Sequence, residues 1–390
     1  MEVKKVIIIM RNDMIGYPPT ISLVKALLSI GKNVEYVGLY SDAEGKKVLE
    51  TAGVEFVPII YPNSNYSKNK ILNFIKILRW QIRYKRAMKK YLSSMAYDEG
   101  TLFWIVFSNA TPLFSEHLRK RRYLLHFYEF ENPRLSWKSR LTAPFYDADE
   151  LLQGAEATVH CEYNRAMILN GINGIVKPTY ILPNKPYDDN NAEPTADEET
   201  GKLIASVRER IVGRKAILYQ GIFNAKERRL DEFCQAMKLL GDEYVFIIMG
   251  KIGKDLDYIK EKYSYDNILF IPFVRPPYHL QITKLAHIGI ITYRPQSTSL
   301  GNVVNTYYCA PNKIFEYSKF GIPMISNELP GLKQIYERFG CGSIIEGEMT
   351  PSKIAKTIRG IDRRYDEMSK GSEAYYSSVD FKEIVQRIVS

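Results

Sequence analysis

The chain has 390 residues, 45% of them apolar, which is enough for two domains with their own cores and excludes a disordered chain. A formal net charge of +10 favours anionic partners, and no finger, homeodomain or RNA-recognition pattern points to nucleic acid. Cys161, Cys234, Cys309 and Cys341 form no Cys-x-x-Cys pair and have no histidine cluster beside them, so no disulfide framework or metal site is indicated and a reduced, cytoplasmic setting fits.

The opening Val3–Ile9 run is too short for a signal peptide and reads as a first strand, Val6–Met10. No uninterrupted apolar stretch reaches membrane-spanning length. A loop with Gly16 and Pro18-Pro19 leads into a helix over Ile21–Ile30, closed by Gly31, and a second strand over Asn33–Leu39. Ala52–Pro58 repeats helix end then strand, and Thr101–Phe107 and Tyr123–Tyr128 read as further buried strands. Alternation of this kind predicts a parallel sheet covered on both faces.

Between the early strands, residues 68–90 carry nine basic residues and no acidic one. On a helix, Lys76, Arg79, Arg83, Arg86 and Lys90 fall within roughly an 80° arc. Ile71, Ile75, Leu78 and Ile82 make an adjacent apolar stripe. Such a helix can pack its stripe on the sheet or lie on an anionic membrane surface, and the sequence leaves both open.

A polar, acidic segment from Asn184 to Gly201 reads as a linker, placing the domain boundary near 190. The strand-helix pattern then restarts: strand Lys215–Gln220, a turn at Gly221, helix Leu230–Leu240, strands Tyr244–Met249 and Ile268–Ile271, helix Tyr278–Leu285 and strand Ile288–Thr292. In doubly wound sheets, ligands bind beyond the carboxyl ends of the strands. His126 and Glu129, after the Leu124-Leu125 strand, sit at such an end.

Residues 311–331 hold the most informative pattern. Pro311-Asn312 opens a helix, Gly321 and Pro323 end it, and Met324-Ile325-Ser326 supplies a short strand. Lys313 and Glu316 lie three apart, on neighbouring helix surface. A carboxylate there can accept both hydroxyls of a vicinal diol such as a ribose, and a nearby lysine suits a phosphate. No Asp-x-Asp pair is present to hold a metal, so basic residues would have to neutralise a diphosphate.

This block resembles the donor-binding helix of GT-B glycosyltransferases of the large family four class, whose pattern runs Pro-x-Lys-x-x-Glu-Tyr-x-x-x-Gly-x-Pro-x-Ile. Weaker matches follow in the family's order: His160-Cys161-Glu162-Tyr163-Asn164-Arg165, Ile181-Leu182-Pro183-Asn184, and Leu285–Ile290. The resemblance implies an α/β GT-B architecture, two Rossmann-like doubly wound domains facing across a cleft. Residues 1–189 would take the acceptor, 190–365 the nucleotide-sugar, and 366–390 would return as a helix to the first domain.

By the same resemblance, Gly16 and Gly221 would let backbone approach the ligand. Arg228, or Lys226, would grip the diphosphate with Lys313, and Glu316 would hold the ribose. His126 and Glu129 would lie beside the reacting sugar. Two positions depart from the family. Ile222-Phe223 stand where an arginine often follows the strand glycine, and Tyr308 stands where a second glutamate contacts the sugar. Asn305, Thr306 or backbone amides around Cys309 and Ala310 would then supply the sugar contact, with Tyr308 also counted among the donor-binding residues.

The implied activity is retaining, metal-independent transfer from a nucleoside diphosphate sugar to a saccharide acceptor, lipid-linked if residues 68–90 meet a membrane. UDP-sugar is the default donor because that class is commonest, and no separate cofactor is called for. The setting would be the inner face of the plasma membrane. The alternatives are a non-catalytic GT-B subunit that partners another transferase, and a nucleotide-sugar 2-epimerase.

Overall fold

The computed structural model describes residues 2–14, 17–39, 51, 53–59, 69–96, 98–134, 141–187, 196–251 and 254–390. The chain divides into two compact units, Met1–Pro183 with Asp380–Ser390, and Asn184–Val379. The expected boundary near 190 lies outside the described residues.

The first unit is built on seven strands: β1 (Lys5–Asp13), β2 (Asn33–Leu39), β3 (Glu55–Pro58), β4 (Thr101–Val106), β5 (Tyr123–Phe127), β6 (Thr158–His160) and β7 (Thr179–Ile181). They pair in parallel in the order β3-β2-β1-β4-β5-β6-β7. Every residue of β4 and β5 is buried, the signature of strands covered on both faces. Pro18 and Pro19 begin the helix Pro18–Ser29, where a missing backbone N–H costs nothing.

The second unit repeats the plan with six parallel strands: β8 (Lys215–Gln220), β9 (Tyr244–Met249), β10 (Ile268–Ile271), β11 (Ile288–Ile291), β12 (Met324–Asn327) and β13 (Gly342–Ile345). Their order is β10-β9-β8-β11-β12-β13. Alternate residues of β8 and β9 feed two separate cores. Ala216, Leu218, Val245 and Ile247 join one, and Ile217, Tyr219, Phe246 and Ile248 the other. The strand order reverses between β8 and β11, the switch point where doubly wound sheets place ligands.

Three sequence expectations change. The helix expected over Tyr278–Leu285 is confined to Leu280–Thr283, because Leu285 and Ala286 N–H bond back three residues and tighten the chain before His287 N–H joins Ala216. Helix Leu300–Tyr307 and strands β6, β7 and β13 were not legible as elements. The segment from 366 is not one returning helix. Tyr365–Ser377 belongs to the second unit, with Tyr375 stacked on Phe315 at 5.1 Å, and only Asp380 onward joins the first. There, helix Phe381–Ile388 packs on helix Pro18–Ser29 and β7.

Candidate functional site

The site forms where β8 ends. Gly221 leaves the strand with φ +124°, a conformation a side chain rarely adopts. A Cβ on Gly250, at the end of β9, would lie 2.1 Å from the Gly221 carbonyl oxygen, so the two turns can nest only as glycines. The Lys313 side chain runs over this turn, its Cε 3.5 Å from where a Gly221 Cβ would stand.

Helix Asn312–Ser318 is buried along its turns from Lys313 onward and carries both Lys313 and Glu316 inward. The Glu316 carboxylate is held at each oxygen. Gln220 Nε2 donates to Oε2 at 2.5 Å, and His279 Nε2 lies 3.2 Å from Oε1. Gln220 is itself oriented by Thr283, whose hydroxyl donates to Gln220 Oε1 at 2.7 Å. Burial pushes the Glu316 pKa up, but the bonds from His279 and Gln220 and the Lys313 charge outweigh it and hold the carboxyl below its ordinary value. One lone pair on each oxygen stays available, which is the acceptor set a vicinal diol requires.

Lys313 is the opposite case. Its ammonium is buried with no hydrogen-bond partner, 4.3 Å from the Tyr219 ring centroid and 5.5 Å from that of Tyr293. Burial first, and then the nearby Arg228 charge, pull its pKa down to about 7, against the raising influence of Glu316. Arg228 sits over the Tyr293 ring at 5.0 Å and donates through Nη1 to the Ile222 carbonyl at 2.6 Å. Its Nε is buried without a hydrogen-bond partner, as is Nδ1 of His279. Two cations and a fixed carboxylate thus converge at the end of β8 with donor capacity unspent.

The remaining expected residues divide. Lys226 is exposed, and only its backbone N–H is engaged, by Asn224 Oδ1 at 3.0 Å. Asn305 is half-buried on helix Leu300–Tyr307, and Tyr308 closes that helix through its N–H to Val304. The Ala310 carbonyl accepts from Asn184 Nδ2 at 2.7 Å. Gly16 lies outside the described residues.

In the first unit, Glu129 is exposed and His126 is 1% exposed. Trp104 Nε1 donates to His126 Nδ1 at 3.0 Å, which leaves the ring proton on Nε2, facing Cys161 Sγ at 4.0 Å. Burial, then His160, push its pKa down to about 3. The expectation that His126 lines the reacting sugar is corrected: the ring is neutral core, packed 4.4 Å from Tyr128 with both nitrogens occupied.

Sequence reasoning missed Gln220, His279, Thr283, Tyr219 and Tyr293. The available signal was a glutamine at the end of the strand Lys215–Gln220, directly before Gly221. A buried polar residue at a strand's carboxyl end is a ligand-facing candidate by position.

Two doubly wound parallel α/β units with the site at a switch point define the GT-B fold. Solved structures match over nearly the whole chain. A glycosyltransferase from Rickettsia africae superposes with a TM-score of 0.66 at 14% identity, covering 100% of this chain and 97% of that one. HepE from Anabaena, solved with UDP, gives 0.64 at 12% identity over 99% and 98%. WaaG, a glycosyltransferase involved in lipopolysaccharide biosynthesis, gives 0.59 at 10% identity over 98% of each. No protein-family model and no curated protein matches the chain. At these identities the likeness establishes the fold.

Proposed function

We propose that the chain is a glycosyltransferase that takes a nucleoside diphosphate sugar, UDP-sugar first, as donor and a saccharide as acceptor. The observation that carries this is the buried, partnerless Lys313 ammonium three residues from a carboxylate whose two oxygens are pre-aimed. A cation cannot stay buried cheaply without an anion, and a diphosphate supplies one. Glu316 then takes the ribose hydroxyls while Lys313 and Arg228 offset the charge that builds on the leaving diphosphate. Lys226, Asn305, Tyr308 and Ala310 remain candidates for outer donor contacts on this reading. HepE has been solved with UDP-glucose and MnaA of S. aureus with UDP, which favours UDP as the first nucleotide to try here.

In the reaction, the bond from the anomeric carbon to the diphosphate oxygen breaks as the acceptor oxygen bonds to that carbon. The retaining form has the acceptor enter on the face the diphosphate leaves, its proton passing to the departing oxygen. The two cations do the work a metal does elsewhere, and the scheme uses no cofactor. The acceptor class is a saccharide carried on a lipid, and the setting is the cytoplasmic side of the plasma membrane.

The test is thermal unfolding with UDP, GDP, ADP and TDP, each with and without magnesium. A nucleotide at about a hundred times its dissociation constant adds roughly 2.7 kcal/mol. Stabilisation by one nucleotide, independent of magnesium and lost in Glu316→Ala, supports the reading. No response to any nucleotide overturns it and favours the non-catalytic subunit.

A further inference from the structure

Helix Lys70–Ser94 buries one face against the first unit. Trp80, Tyr84, Met88 and Leu92, each four residues from the last, are its buried positions. Trp80 and Tyr84 stack at 5.1 Å, Tyr84 meets Phe114 at 6.3 Å, and the Arg11 guanidinium lies over Trp80 at 4.8 Å. No residue from Lys70 to Arg79, about 15 Å of helix, is buried.

The outward side is not an ordinary solvated one. Ile71 is 70% exposed, with Leu72, Ile75 and Ile82 exposed beside it. Lys76, Arg79, Arg83, Arg86 and Lys90 are exposed too. At 100° per residue the apolar stripe of Ile71, Ile75, Leu78 and Ile82 and the cationic stripe adjoin, and each is centred roughly 130–140° from the anchoring face. The helix contains no acidic residue to soften its charge.

We propose that the outward face of helix Lys70–Ser94 docks the chain on an anionic phospholipid surface. The apolar stripe enters the acyl boundary while the cationic stripe beside it meets lipid phosphates. The adjoining stripes single out this occupant. A nucleic acid would use the cations and leave the outward apolar side chains in water, whereas a bilayer interface satisfies both at once. No helix among the described residues is long and apolar enough to cross a membrane, so docking lies in the plane of the surface. The proposal gives a partner to the acceptor side of the transferase reading, but docking needs no donor chemistry and is tested without it.

The test is co-sedimentation of the full chain with phosphatidylcholine vesicles and with vesicles containing about a third phosphatidylglycerol, across a salt series. Binding to the anionic vesicles alone, weakening as salt rises, is expected. With each cation contributing at the scale known for basic side chains near anionic lipid, Arg79→Gln/Arg83→Gln/Arg86→Gln should bind roughly a hundred-fold more weakly. Ile71→Ser/Ile75→Ser/Ile82→Ser should bind roughly ten-fold or more weakly at a given salt. All six positions are exposed, so unchanged melting and an unchanged UDP response show the fold intact. If either variant fails to fold, the wild-type lipid and salt comparison decides. Equal binding to both vesicle types, no binding to either, or self-association in place of vesicle binding overturns the proposal.

Discussion

Replacing Lys313 by methionine tests the donor site through a quantity that packing alone cannot mimic. The wild-type ammonium lies buried against Tyr219 and Tyr293 with its pKa drawn from 10.5 to about 7. At about 1.36 kcal/mol per pKa unit, the unliganded fold bears on the order of 5 kcal/mol for keeping that group charged. The unfolded chain binds this proton below 10.5 and the fold only below about 7, so this group makes stability rise with pH between those values and leaves it lowest beneath them. A diphosphate beside the ammonium restores the missing counter-charge and raises the pKa again. UDP binding at about pH 8 should therefore draw in close to one proton, about nine-tenths by the simple titration curve. Isothermal calorimetry in two buffers of different ionisation enthalpy reads that uptake directly. Lys313→Met should bind UDP about ten-fold or more weakly with no uptake, and its unliganded form should melt higher near neutral pH. Tight UDP binding by the wild type with no proton taken up, or equal uptake in both proteins, would refute the reasoning.

Further outcomes follow from the same geometry. Gln220→Leu removes the donor to Glu316 and the acceptor for Thr283, and should cost about 1–3 kcal/mol in chemical denaturation while weakening UDP binding. Gly250→Ala drives a methyl into the Gly221 carbonyl, so a lower melting temperature and loss of the UDP shift are expected together. His126→Phe should leave the UDP shift unchanged, because Lys313, Glu316 and Arg228, the proposed nucleotide contacts, belong to the second unit. It should also flatten part of the acid profile. His126 and His160 are both held near a pKa of about 3, so the unfolded chain protonates first and stability is lost as pH falls from about 6.5 toward 3. Acid unfolding of the single variants and of the wild type would show whether that slope belongs to these rings.

The first strands of the second unit were legible because each holds an apolar block closed by a polar residue, a glycine or a proline. β8, β9 and β10 occupy the expected residues. Helix Asn312–Ser318 was legible from its proline and glycine punctuation. The support of Glu316 was not, because Gln220, His279 and Thr283 come from separate elements and meet only through strand order. Nor could sequence tell two histidines apart. His126 lies near the end of a buried strand and looks ligand-facing, yet Trp104 takes its Nδ1, while His279, the residue that caps helix Leu280–Thr283, reaches the carboxylate. The basic helix was ambiguous for a related reason: Ile77 lies on the same side as Trp80 and Tyr84, where periodicity alone would bury it, yet it is exposed.

The chain leaves its first unit at Pro183 and comes back to it only at Asp380. Helix Phe381–Ile388, with Phe381 and Val385 buried, packs on Pro18–Ser29, one of the earliest elements made. During synthesis the first unit must therefore wait, one helix face uncovered, while the whole of the second is translated. The second unit, continuous in sequence, can finish as soon as it emerges. Any arrest or cleavage near residue 380 would release a chain whose second unit, with the proposed donor site, is complete and whose first unit has an open seam.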